Sequence, residues 1–408
     1  MDALPHLSKT FGIGGELKLR EEDFTVEEIT LEGEVLELGK RFERRGSGDF
    51  THFVLQKKGW NTLHALRAVG RLLGVGIKRF GYAGTKDRRA VTTQLCSAWR
   101  VEPAALLSLS LKDISINGAW LAPDRVSLGD LLGNRFVVRA SGVSEDAEER
   151  VAKIAAELGG IFPNYFGEQR FGTMRSNTHI VGKLIVANDF RGAVLNYLCF
   201  VDDGEMEDAR EARRRLSEEM DFAKALEYFP SHLKYERLML NHLARNPNDF
   251  VNAMRKLPRG LSLMFVHAYQ SWLFNEMLAE RVRNGRLAVE KGDFVCPANS
   301  YGFPDVGKAR RAERAGEEGF LVGRMPGYET EELTEEESAL FEREGITPKS
   351  FLIKSFPEIS SRGVLRAMLA PFKEFWFRMD GKDGIFSFSL PAGSYATVLL
   401  REFMDLEK

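Results

Sequence analysis

In the stretch YAGTKDRRAVTTQ, Tyr82 to Gln94, one acid stands among three cations: Lys86, Asp87, Arg88 and Arg89 are consecutive. Neighbouring cations favour the ionised form of a carboxylate. An ionised aspartate presented on a loop can act as a nucleophile or a general base, while the cations can engage phosphates. One carboxylate amid cations suits a reaction on a polyanion. The stretch is not a phosphate loop: GxxxxGK[ST] needs a wider glycine spacing than Gly81 and Gly84 give, and Lys86 is followed by Asp87. A guanine-reading TKxD needs its acid where Arg88 stands. In isolation the segment reads first as a hairpin turn with solvated charges, with the catalytic reading beside it.

A second dense motif is NYFGEQRFG, residues 164–172. It reads as a loop built for close packing, with Tyr165, Phe166 and Phe171 in the core and Arg170 paired to Glu168 or to another acid. KLREEDFTVEE (18–28) and LLGNRFVVR (131–139) bring Phe24 near Lys18 and Phe136 near Asn134. Most strand phenylalanines are core, yet a Phe beside an Asn is also how a site stacks a base and reads its edge. Lys57, Lys58, Lys78, Arg79, Arg255, Lys256 and Arg259 are candidate phosphate contacts, each read first as a solvated surface charge.

The chain has 408 residues, 44% of them hydrophobic and 28% charged, with a formal charge of −2. There is no global basic footprint, so a nucleic-acid site must be a local patch. Cys96, Cys199 and Cys296 are far apart with no CxxC, and the seven histidines form no HExxH. Neither a disulfide framework nor a thiolate or zincin metal site is expected; magnesium on acidic side chains stays open. The opening residues MDALPHLSKTFGIGG lack the pattern of a signal peptide. LSLMFVHAYQSWLF, 261–274, is too short and too polar to span a bilayer. A cytoplasmic monomer without a membrane segment or protein partner is the expectation.

Several elements position these residues. Strands are expected at 23–29, 51–59, 77–84, 91–100, 113–122 and 135–143, with an amphipathic helix at 61–74 capped by Asn61 or Thr62. A helix at 144–160 would be capped by Ser144 and ended by glycines. From about 173 to 350 the pattern is mostly helical and charge-dense, with a buried helix at 261–282, and an acidic run at 327–345 that reads as a solvated face. EFWFRMD, GIFSFSLP and YATVLLREF close the chain as alternating segments read as strands. Strands at both ends with helices between imply an α+β domain interrupted by an insertion.

AGTKDRRAVTTQ (83–94), NYFGEQRFG (164–172), HAYQSWLFN (267–275) and LPAGSYATVLLRE (390–402), in this order, resemble the TruD-type pseudouridine synthase family. The resemblance covers most of the chain and implies an isomerase that turns uridine in RNA into pseudouridine without a cofactor. It implies a pseudouridine-synthase catalytic domain with a mainly antiparallel mixed sheet and a central cleft, residues 1–172 plus 351–408. A largely helical α/β insertion, 173–350, would interrupt it. The family's essential aspartate matches Asp87. Its supporting Lys, Phe, Asn and Phe match Lys18, Phe24, Asn134 and Phe136. By resemblance, Lys18 pairs with Asp87, Phe136 stacks on the flipped base, Phe24 lines the pocket, and Asn134 binds the base or orients the aspartate. Lys86, Arg88, Arg89 and Arg170 become candidate RNA contacts. The expected substrate is tRNA, at uridine 13. The rival expectation is a non-catalytic RNA-binding or chaperone protein on the same fold.

Overall fold

The computed structural model describes residues 4–17 and 19–406. The chain folds into two compact units. One comprises 6–164, 296–308 and 369–408; the other comprises 1–5, 165–295 and 309–368. These bounds differ from the expected ones. Residues 165–172 and 351–368 fall with the helical unit, and the short segment 296–308 returns to the sheet unit.

Among the described residues, the sheet unit is built on a nine-stranded sheet. Its first seven strands are β1 (Glu16–Leu17), β2 (Phe24–Ile29), β3 (Phe50–Lys58), β4 (Phe80–Tyr82), β5 (Val91–Trp99), β6 (Ile114–Ala122) and β7 (Gly133–Ser141). Lys373–Asp380 and Asp383–Pro391 complete it. The order is Lys373–Asp380, Asp383–Pro391, β7, β2, β5, β3, β6, with β1 on β7 and β4 on β5. The pair β2–β5 is parallel and the other pairs are antiparallel. A mixed, mainly antiparallel sheet with helices is the α+β class expected.

The helix at Thr62–Leu72 starts where its sequence says: the Asn61 side chain accepts a hydrogen bond from Leu63 N. Helix Ala147–Leu158 begins later than expected, at Asp146 rather than Ser144, and ends on Gly159 in the left-handed region. The expected strand 77–84 shortens to β4, preceded by a 3-10 turn at Ile77–Arg79. YATVLLREF is a correction. It forms the helix Ala396–Met404, because Ala396, Leu399, Leu400 and Phe403 bury one face at helical spacing. They join Phe24, Val26, Phe136 and Phe388 in the core beneath the sheet.

The returning segment is anchored by packing. Phe303 is fully buried, and Lys373 Nζ donates to Tyr301 O at 2.7 Å. A Cβ on Gly133 would stand 2.1 Å from Leu390 O and 2.8 Å from the Phe303 ring, so only glycine admits both neighbours there.

The helical unit centres on the 25-residue helix Arg259–Arg283, the expected buried one. It also holds strands Phe320–Met325 and Val364–Ala367, paired antiparallel. The acidic run is only partly a solvated face. It forms helix Glu335–Glu344 with a Thr334/Glu337 capping box, and Glu337 is buried in an ion pair with Arg324. NYFGEQRFG is core as read: Tyr165, Phe166 and Phe171 are buried. Asn275, from HAYQSWLFN, accepts from Phe166 N at 2.8 Å and donates to Phe166 O at 3.0 Å. Two signature motifs thereby join as one packing unit.

Candidate active site

The parallel pairing sets the site. Thr25 of β2 faces Val91 of β5, so the loop 83–90 that leads into β5 arrives at the N-terminal end of β2, next to Phe24. The loop has no regular structure of its own, and polar side chains from neighbouring elements hold its backbone. Gln94 Nε2 donates to Gly84 O at 3.0 Å. Thr62 Oγ1 accepts from Lys86 N at 3.0 Å and donates to Gln94 Oε1 at 2.9 Å. Lys57 Nζ donates to Asp87 O at 2.9 Å and to Lys86 O at 3.4 Å. Upstream, Ala83 O accepts from Gly129 N at 2.8 Å.

The consecutive charged residues separate by direction. Lys86 is buried. Its ammonium lies 2.6 Å from Glu28 Oε2, with the two side chains 5% and 0% exposed, and donates to Asn134 Oδ1 at 2.7 Å. Glu28 Oε1 accepts from Leu95 N at 2.9 Å. A lysine expected at the RNA-facing surface is thus turned inward, where it ties β2, β7 and the loop together. Asp87 is half-buried, whereas Arg88 and Arg89 are exposed.

Phe24 and Phe136 meet edge to face, with ring centroids 6.0 Å apart, and Phe136 stacks on Phe388 at 5.5 Å. Both Phe24 and Phe136 are buried. Lys18 lies outside the described residues. Arg170 belongs to the helical unit, where its Nε donates to Ser271 Oγ at 3.0 Å and its guanidinium sits over the Phe166 ring. The sheet unit therefore brings together Asp87, Lys86, Asn134, Phe24 and Phe136.

Lys57 corrects the sequence reading. It is neither a solvated charge nor a surface phosphate contact but a fully buried lysine. Burial pushes its ammonium down to about 8, against the attraction of Asp87 and with repulsion from Lys86. Its neighbour Lys58 does reach the surface, where it pairs with Glu22. Glu28 was missed altogether. Strand alternation held the signal for both. Phe53, Leu55 and Lys57 share one face of β3, and Phe24, Val26 and Glu28 share one face of β2. The apolar members are core, so the last member of each set points inward too.

Among the described residues, no group of three or more His, Cys, Asp or Glu side chains is placed to hold a metal ion. Nor is any described helix long and apolar enough to cross a membrane. The geometry offers one carboxylate, Asp87, on a loop held at Gly84, Lys86 and Asp87, leading into the strand that pairs with the start of β2, where Phe24 meets Phe136.

The family model for tRNA pseudouridine synthase D matches residues 1–403. A probable tRNA pseudouridine synthase D of Methanococcoides burtonii is 35% identical, covering 98% of this chain and 95% of its own. A probable member from Methanopyrus kandleri is 39% identical over 89% of this chain and 87% of its own. A crystal structure of a putative tRNA pseudouridine synthase D from Methanosarcina mazei superposes with a TM-score of 0.79 at 35% identity, covering 98% of this chain and 95% of that one. Sequence, fold and relatives spanning nearly the whole chain converge: this chain belongs to the tRNA pseudouridine synthase D family.

Proposed function

We propose that this protein isomerises uridine to pseudouridine in tRNA, at position 13, and that Asp87 is its catalytic residue. The observation that supports this best is the Asp87 loop, held by hydrogen bonds at Gly84, Lys86 and Asp87 itself. A preorganised carboxylate is what the reaction needs. In that reaction the N1–C1′ bond breaks, the base turns, C5 bonds to C1′, and the C5 hydrogen leaves as a proton while N1 gains one. Three chemical paths use a carboxylate here: addition to C6, attack at C1′, or removal of a proton from C2′. Each needs it ionised. Atoms and electrons balance without a cofactor.

In this reading Phe136 stacks on the flipped base and Phe24 lines the pocket. Lys86 and Asn134 hold the loop against β7, leaving Arg88 and Arg89 as the loop's exposed cations for RNA phosphates. Lys18 keeps its proposed role as the partner of Asp87. Extruding a base from folded RNA costs roughly a few kcal/mol, which an aromatic face beside the carboxylate offsets in part.

The test is tritium release from tRNA transcribed with [5-³H]uridine, followed by mapping of the modified position. Release of one equivalent per tRNA, lost when uridine 13 is replaced by cytidine, is the expected result. Full release from the U13C transcript would reject the position, and no release from any tRNA would reject the substrate. Phe136→Leu keeps most of the buried volume but removes the aromatic face. It should lower the single-turnover rate about tenfold or more, with RNA affinity within a few-fold, since one base stack is worth about 1–3 kcal/mol and phosphate contacts dominate binding. An unchanged rate would reduce Phe136 to a core residue.

A further inference from the structure

We propose that Lys57 is the positioning residue of the catalytic loop: its buried side chain clamps the backbone carbonyls of Lys86 and Asp87 and thereby fixes the direction in which the Asp87 carboxylate leaves the loop. The proposal rests on the reading of Asp87 as the catalyst.

The position of the clamp is its main argument. Thr62 and Gln94 hold the loop upstream, at Lys86 N and Gly84 O. Lys57 holds it at the Asp87 carbonyl, 2.9 Å from the ammonium. A backbone carbonyl fixed at a residue restricts the rotation that would swing that residue's side chain, and a misplacement of about 1 Å can cost a factor of about 100 in rate. Lys57 also comes from a rigid element. It lies in the register of β3 opposite Thr92 of β5 and Ile114 of β6, so the clamp is set by the sheet and not by another loop.

A buried ammonium is costly unless its surroundings offset the lost hydration. Among the described residues, the charged and titratable groups around Lys57 are few. Asp87 attracts it and Lys86 repels it, both from the loop, while Cys96 faces it from β5. Glu28 of β2 neutralises Lys86. Cys96 is fully buried, and burial holds its thiol protonated. The favourable contacts Lys57 makes are therefore with the Lys86–Asp87 segment. Because burial lowers the ammonium to about 8, the clamp is charged at neutral pH and loses its proton as pH rises through that region.

The experiment uses the full chain in single-turnover tritium release with saturating tRNA, with RNA affinity measured in parallel. Lys57→Met fills the same space without a donor. Its rate is expected to fall about 100-fold, with affinity within three-fold. Lys57→Ala is expected to recover at least tenfold of its loss with added ethylammonium and none with tetramethylammonium, which has no N–H to donate. In the wild type the rate is expected to fall as pH rises from 7 to 9, and Lys57→Met to lack that limb. Rescue of Lys57→Ala by ethylammonium decides the matter even if Lys57→Met folds poorly. A Lys57→Met protein as fast as the wild type would overturn the proposal, as would a Lys57→Ala protein that ethylammonium does not rescue. Asp87→Asn in the same assay separates the two failures. If Asp87→Asn is active, the catalytic reading falls and takes the clamp with it. If Asp87→Asn is dead while Lys57→Met is fully active, the clamp alone is wrong.

Discussion

Asp87→Asn is expected to bind tRNA within a few-fold of the wild type and to convert none of it, a loss of at least about 10⁴-fold in the single-turnover rate. Asparagine has the shape of aspartate, and the hydrogen bonds that fix the loop end on backbone atoms at Lys86 and Asp87. The substitution therefore leaves the clamp in place and removes only the charge and basicity. Every path open to the reaction uses the ionised carboxylate, so nothing else in the site substitutes for it. Binding is carried by many phosphate contacts spread over the RNA, which one neutral-for-charged exchange changes little. A loss confined to the chemical step is the signature of a group that acts in the transition state. Turnover within tenfold of the wild type would remove Asp87 from its role and favour a binding or chaperone protein on this fold.

The second large effect is on stability. Glu28→Ala strands the Lys86 ammonium in the interior, with side-chain exposures of 5% for Lys86 and 0% for Glu28 in the intact pair. Breaking a buried ion pair from one side costs about 3–5 kcal/mol, a large fraction of the stability of an ordinary domain. Denaturant unfolding of the sheet unit should show that loss in its midpoint. The double variant Glu28→Leu with Lys86→Met should recover most of it, because a well-packed apolar pair replaces two buried charges. It should not recover turnover, since Asn134 loses the donor that ties β7 to the loop. A Glu28→Ala protein destabilised by less than about 1 kcal/mol would mean that water reaches Lys86 and that the pair is not the keystone it resembles.

The Asp87 loop was legible as a candidate site because its oddity is local, an acid among cations between two strand-like runs, but in isolation it read first as a solvated turn, and only the family resemblance singled out Asp87. The sheet was legible in its strands β2, β3, β6 and β7, which carry alternating or apolar runs within six to nine residues. Side-chain direction inside the loop was not, because period-2 reasoning stops where the strand stops. Lys86 points to the core and Arg88 to solvent with one residue between them. Lys57 was misread for the opposite reason. The QKKG sequence looks like a basic turn, and only the parity of Phe53 and Leu55 reveals which of the two lysines is inside. The last helix was misread because YATVLLREF satisfies both periods, and tertiary burial of Ala396, Leu399, Leu400 and Phe403 decides for the helix.

The segment 296–308 has a consequence for how this protein can be taken apart. The helical unit interrupts the sheet unit not once but twice, as 165–295 and as 309–368. It is therefore not an interchangeable cassette with one entry and one exit. A shortcut from Asn164 to Leu369 would delete Phe303 and the Tyr301 carbonyl, leaving Gly133 and Lys373 without the neighbours that pack on them. A chimera that exchanges 165–295 and 309–368 between relatives must make four joints instead of two, keeping this thirteen-residue thread with the sheet it serves.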